Sequence, residues 1–170
     1  MILLFASLQS NVIFDFTVNS NIQNWSVVND VVMGGASSSS FALNNNGNAV
    51  FKGEVSLENN GGFASVRYRF PQKQIKQFST IRLRLKGDGK DYQLRLKANI
   101  NEYYSYVATF KTTGEWQNIT MPLENFYPSF RGRKLTQPNF AKETLEEISF
   151  LIGNKKTEQF ELEIDSITLY

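Results

Sequence analysis

Thr80-Ile81-Arg82-Leu83-Arg84-Leu85-Lys86 and, after a glycine-rich turn, Leu94-Arg95-Leu96-Lys97 alternate strictly between polar, mostly basic, and apolar side chains. A period of two puts every second side chain on the same face of an extended chain, so each segment predicts a strand with one face in a core and one in water. Gly87-Asp88-Gly89-Lys90 between them supplies residues that tolerate positive φ, as a hairpin requires. The same alternation recurs in Tyr104, Tyr106, Ala108 and Phe110 and in Phe160, Leu162 and Ile164. Further strands are expected near Val12–Phe16, Trp25–Val28, Ser38–Leu43, Ala49–Leu57, Phe63–Phe70, Trp116–Met121 and Glu147–Ile152. Asn44-Asn45-Asn46-Gly47, Asn59-Asn60-Gly61-Gly62 and Thr113-Gly114-Glu115 punctuate them. About ten or eleven short strands with such turns predict an all-β sandwich of two antiparallel sheets. Little helix is expected: one turn in Lys142–Glu147 and another in Leu123–Phe126, with a long irregular connection from Met121 to about Thr144.

Length and composition bound the rest. The 170 residues, 41% hydrophobic and 14% aromatic, suit one domain with its own core, taken as residues 11–170. Residues 1–10 begin Met-Ile-Leu-Leu-Phe-Ala-Ser-Leu, an apolar run that reads either as a signal remnant or as the lead-in to the first strand. It lacks a charged leading region, which favours the cytoplasm over export. The chain has no cysteine and no histidine. Disulfides, the common zinc sites, Ser-His-Asp and Cys-His catalysis are therefore excluded. Acid–base chemistry would rest on carboxylates, lysine or tyrosine alone, so a non-enzyme that needs no cofactor is expected.

Three segments carry the candidate binding residues. In Trp25–Ser37, a strand ends at Asn29-Asp30, and Val31-Val32-Met33 leads into Gly34-Gly35 and Ser37. This segment is either a ligand site or a tight corner between the sheets, with Asn29 and Asp30 holding exposed amides. Gly61–Arg67 offers Phe63 and Arg67 on neighbouring surface, and Phe126–Arg133 offers Phe130 and Arg131, residue types enriched in binding hot spots. Ten lysines and arginines against Asp88 and Asp91 between Arg67 and Lys97 define a basic region. Its alternation predicts Arg82, Arg84, Lys86, Arg95 and Lys97 together on the outer face of adjacent strands, paired by Glu161 and Glu163 or free to meet a polyanion. Asp88 and Asp91 are two carboxylates where calcium takes six to eight oxygens.

In order, these segments resemble the complex I intermediate-associated protein family. The resemblance rests on Trp25 and Val28-Asn29-Asp30-Val31-Val32-Met33-Gly34-Gly35, on Phe51–Arg67 with its Asn60-Gly61-Gly62-Phe63, on Lys86–Tyr92, on Phe130–Arg133 and on Phe160–Ile167. It implies a galactose-binding-like jelly roll and, by analogy with eukaryotic members, a chaperone-like factor for respiratory complex I assembly. This chain looks like a short, stand-alone, bacterial-type member. The expectation is thus a binding or assembly module with a protein partner, such as a respiratory or other membrane-enzyme subunit, held by Asn29, Asp30, Met33, Arg67, Phe130 and Arg131. A carbohydrate-binding module is the alternative, to be discarded if Tyr103 and Tyr127 are both buried. RNA or another polyanion on the basic face comes third, and no apolar run is long enough to span a membrane.

Overall fold

A computed structural model describes residues 11–170; the apolar segment 1–10 lies outside the described residues. Among the described residues thirteen strands form two sheets, all pairings antiparallel. The first sheet runs β3 (Ser38–Leu43), β4 (Ala49–Val55), β13 (Glu158–Leu169), β6 (Thr80–Lys86), β9 (Trp116–Pro122). In it, β1 (Asn11–Asp15) lies along the C-terminal half of β13. The second sheet runs β11 (Arg133–Lys134), β10 (Tyr127–Phe130), β8 (Ser105–Lys111), β7 (Asp91–Lys97), β12 (Thr144–Ile152), β5 (Ala64–Gln74), β2 (Trp25–Val27). The sandwich of two antiparallel sheets expected from the alternation is observed, and it is the jelly roll that the resemblance implied.

The two deciding segments fall in different sheets. Ile81, Leu83 and Leu85 of β6 and Tyr92, Leu94 and Leu96 of β7 face each other across a continuous core, each at most 1% exposed. In β13 the alternation changes phase. A bulge between Ile164 and Ser166 follows inward-facing Phe160, Leu162 and Ile164, and Ile167 and Leu169 then face inward in turn. Trp25 closes one end of the core. Its ring stacks between Tyr68 of β5 (4.9 Å, 13°) and Phe41 of β3 (4.9 Å, 24°), with Phe14 and Phe16 against its edges. One side chain thus joins both sheets.

Two expectations are corrected. Lys142–Glu147 holds no helical turn, because Thr144 onward is β12, paired with β5 on one side and β7 on the other. Leu145 and Ile148 both reach the core because a bulge lies between Leu145 and Glu147, and that bulge disguises the strand's period. The connection after Met121 is also less irregular than its prolines suggest: it contains a 3₁₀ turn at Leu123–Asn125 and the hairpin of β10 and β11.

Truncating the tryptophan that ties the sheets should be costly. Trp25→Ala, at 7% exposure, is expected to lose about 3–5 kcal/mol in chemical denaturation. Trp116→Ala, at 37% exposure on an outer face, should lose well under half of that.

Candidate binding cleft

Asp30 resolves the Asn-Asp…Gly-Gly segment. Its carboxylate is fully buried and accepts from Ser37 N (2.9 Å), Ser37 Oγ (2.5 Å), Gly62 N (2.6 Å) and Phe63 N (3.2 Å). Burial pushes this carboxyl up, but the Ser37 hydroxyl and the amides of Gly62, Ser37 and Phe63 outweigh it and hold the group below the usual carboxylate range. Asn29 Oδ1 likewise accepts from Ser39 Oγ (2.8 Å) and Ser65 N (3.3 Å). A Cβ on Gly35 would stand 2.4 Å from Asp30 Cγ, and one on Gly61 2.5 Å from Asp30 Oδ2. Asn29, Asp30, Gly35 and Ser37 are therefore a corner that pins the 28–37 loop to the 57–63 loop. Gly34, at φ 89°, closes the short 3₁₀ helix Asp30–Met33.

The corner places an apolar tip at a cleft. Val31, Val32 and Met33 project outward at 59%, 71% and 59% exposure. Met33 lines a cleft of about 660 Å³ on the outer face of the second sheet, with Phe63 and Leu57 beside it and Phe130, Arg131 and Tyr103 also in its lining. Tyr103 meets Phe130 edge to face at 5.2 Å. Arg131, at φ 49°, and Gly132, at φ 75°, make the turn between β10 and β11, so Arg131 stands in a left-handed conformation that bulky residues avoid.

The floor comes from three adjacent strands. Pairing aligns Arg67 of β5, Ser149 of β12 and Arg95 of β7 in one row, and Arg69, Glu147 and Lys97 in the next. Glu147, 4% exposed, takes Arg69 Nε at 2.7 Å and stands 3.9 Å from Arg67 Nη1. Lys97 Nζ donates to the Glu102 carbonyl at 2.5 Å and Arg95 Nε to Gln93 Oε1 at 3.2 Å. Burial pulls the Lys97 ammonium below its usual value, Glu147 opposing and Arg69 and Arg67 adding to the effect. Burial also pulls the Arg95 guanidinium down, with Tyr127 opposing.

Of the predicted residues, the fold brings Met33, Phe63, Arg67, Phe130 and Arg131 to one cleft. It also brings Arg95 and Lys97, but splits them from Arg82, Arg84 and Lys86. The single five-residue basic face is thus corrected: β6 and β7 belong to opposite sheets, so their outer faces point away from each other. Arg82 lies over the Tyr170 ring at 4.3 Å, Arg84 is 3.6 Å from Asp165, and Lys86 pairs in register with Glu163. Glu161 stands opposite Lys52 instead. Asp88 accepts from Tyr92 OH (3.0 Å), Lys90 Nζ (3.0 Å) and Glu161 N (2.9 Å), and among the described residues no three ligating side chains gather around it or Asp91. Tyr103, named for the carbohydrate alternative, also lines the cleft, whereas sequence reasoning missed Leu57, Glu147, Ser149 and Lys155 there, since nothing local marks which strand lies beside which.

Residues 14–164 match the family model for complex I intermediate-associated protein 30. The chain belongs to this family. It is 25% identical to the mitochondrial complex I intermediate-associated protein 30 of Mus musculus, covering 95% of this chain and 56% of the mouse protein. The Drosophila melanogaster relative of the same name is 26% identical over 78% of this chain and 52% of its own length. The chain thus spans about half the length of the curated relatives it matches. Among solved structures, the family 11 carbohydrate-binding module of Clostridium thermocellum, determined with a β-1,3-1,4-mixed-linked tetrasaccharide, superposes with a TM-score of 0.66 at 16% identity over 94% of both chains. An exo-β-agarase superposes with a TM-score of 0.58 at 12% identity, over 94% of this chain and 25% of the enzyme. This member of the intermediate-associated family therefore shares the sandwich of carbohydrate-binding modules, and no helix among its described residues is long and apolar enough to cross a membrane.

Removing the Asp30 carboxylate strands four donors. Asp30→Ala is expected to cost roughly 2–4 kcal/mol at neutral pH, and Gly35→Ala about 1–3 kcal/mol through the clash with that carboxylate. Because the folded Asp30 carboxyl titrates below its unfolded value, its contribution is present above the ordinary carboxylate range and is lost as pH falls through the depressed folded value. The gap in melting temperature between wild type and Asp30→Asn should therefore narrow on acidification; a gap that widens would contradict this assignment.

Proposed function

We propose that this chain is a non-catalytic binding module that associates, through its cleft and the apolar tip beside it, with a protein subunit of an assembling respiratory complex I. The observation that carries the reading is the exposed Val31-Val32-Met33 tip, which a buried carboxylate holds rigid at the cleft rim. Exposed apolar groups held by a rigid corner are what a protein interface needs, because little entropy is lost when they dock. Family membership and the names of the mouse and fruit-fly relatives support complex I as the setting. The cleft contains neither histidine nor cysteine, and its one acidic side chain, Glu147, is tied to Arg69, which supports binding over catalysis. The compartment that goes with this reading is the cytoplasm, which cell fractionation reads out.

One observation favours a second reading. Tyr103 is 59% exposed in the same cleft as Ser105, Ser129 and Gln93, and an exposed ring beside hydrogen-bonding groups is what a sugar stacks on. The charged floor weighs against it, since an uncharged glycan would cover Arg67, Arg95 and Lys97 without supplying a counter-charge.

The test is affinity capture of tagged chain from its own cells under mild crosslinking, beside a Met33→Ser/Phe130→Ser variant. Complex I subunits should be enriched by wild type at least several-fold over the variant, and the two proteins should melt within about 2 °C of each other, as surface changes do. Equal recovery by both proteins, or retention of mixed-linked β-glucan by wild type with no complex I subunit enriched, overturns the reading.

A further inference from the structure

We infer that the floor of the cleft is a carboxylate-binding site, and that what enters it is an acidic segment of a polypeptide, an Asp or Glu flanked by apolar residues. The inference names the partner chemistry of the site assigned above and rests on that reading.

Glu147 shows what the floor accepts. It is a carboxylate sunk among Arg67, Arg69 and Lys97, held by Arg69 at 2.7 Å and reached by Arg67 at 3.9 Å. One internal carboxylate does not balance the site. The lining carries Arg67, Arg95, Lys97, Arg131 and Lys155 against Glu147 alone, while the chain as a whole is only +2. The excess is therefore local to the cleft, and the remainder of the molecule is net negative.

Arg95 is the centre of that excess. It sits in the middle of a seven-stranded sheet, two strands from Arg67 and in register with it through Ser149. Among the described residues it has no acidic partner, and the only hydrogen bond from its guanidinium goes from Nε to Gln93. The terminal nitrogens are left to the cleft, in the planar fork that matches a carboxylate with two parallel hydrogen bonds. A half-buried cation without a counter-ion is costly to the folded state, and a ligand carboxylate removes that cost.

The rim supplies a second, independent observation. Four non-glycine residues of the described chain stand at positive φ, and two of them, Arg131 (φ 49°) and Lys155 (φ 59°), are cations that line this cleft. Left-handed backbone is disfavoured for long side chains, and such residues gather where geometry serves binding. Here two turns place cations at the mouth, above the cations of the floor.

The mixture of groups selects a peptide among anions. A side-chain carboxylate reaches the floor while its apolar neighbours lie against Met33, Leu57 and Phe130 at the rim. A nucleic acid would need basic surface continuing beyond the cleft, but Arg84 on the opposite face is paired with Asp165.

The test is an array of ten-residue peptides in which one to three Asp or Glu residues flank an aromatic or aliphatic one, each spotted beside its Asn/Gln counterpart. It is probed at 0.15 M salt with wild type, Arg95→Gln and Arg131→Gln chains, and a ten-nucleotide oligothymidine and mixed-linked β-glucan tetrasaccharide are run alongside. Acidic spots should retain wild type roughly ten-fold or more above their amide twins, and Arg95→Gln should lose that margin. Arg95→Gln should melt at or above the wild-type temperature, which a merely structural arginine would not allow. Equal retention on acidic and amide spots, unchanged binding by Arg95→Gln, or binding of the oligonucleotide alone overturns the inference. Failure here with complex I subunits still captured through Met33 and Phe130 removes only the carboxylate site. Acidic peptides bound with no subunit captured would instead remove the assembly reading and leave the site.

Discussion

One buried carboxylate governs the working end of this molecule. Asp30 has no cation beside it in its hydrogen-bonded set; two backbone amides from the 61–63 region and the amide and hydroxyl of Ser37 carry its charge. Hydrogen bonds to an ionised acceptor are roughly twice as strong as neutral ones, and those from backbone amides are directional. Two loops that belong to different parts of the chain thereby behave as one rigid piece, and Gly35 and Gly61 are glycines because that carboxylate occupies the space of a Cβ. Everything proposed for the rim depends on this: without a fixed corner, Val31, Val32 and Met33 would be a floppy apolar loop.

The floor is built by a different constraint. A sandwich needs only one face of each sheet for its core, so the outer face of the second sheet is free to carry charge. Charge there is costly when walls rise around it, because the walls remove water. The loops bearing Met33, Phe63, Phe130 and Lys155 are those walls. Rim and floor therefore act on different parts of a ligand, the rim on apolar groups and the floor on charge. The curated relatives are about twice as long as this chain, so whatever their other halves contribute, this cleft lies within the part that is shared.

The sequence made the sandwich legible because alternation is local: Ile81-Arg82-Leu83-Arg84-Leu85 declares its two faces without reference to any other strand. It misled where a bulge broke the period. Leu145-Glu146-Glu147-Ile148 has helical spacing of its apolar residues and is a strand only because β5 and β7 flank it. The site was half legible. Phe130-Arg131 and Phe63…Arg67 stood out by residue type, whereas Arg95 was grouped with Arg82 and Arg84 because neighbouring strands in the chain were taken as neighbours in a sheet. Here β6 and its successor β7 belong to opposite sheets whereas β7 and its successor β8 pair with each other, and no local pattern records which of the two occurs. Asn29-Asp30 was visible as unusual, yet corner and ligand site ask for the same residues. Only the positions of Ser37, Gly62 and Phe63 decide between them.

The separation of β6 from β7 has a consequence for how the molecule meets anything. On the β6 side, Arg84 lies 3.6 Å from Asp165 and Lys86 stands opposite Glu163 in the ladder, so each cation has an anion on the same face. On the β7 side the cations outnumber the anions, and their field extends into solvent over a Debye length of about 8 Å at physiological ionic strength. The domain is electrically one-sided although its net charge is small. An approaching anionic surface is turned toward the cleft before any atoms touch, and orientation is settled during diffusion instead of by trial at contact.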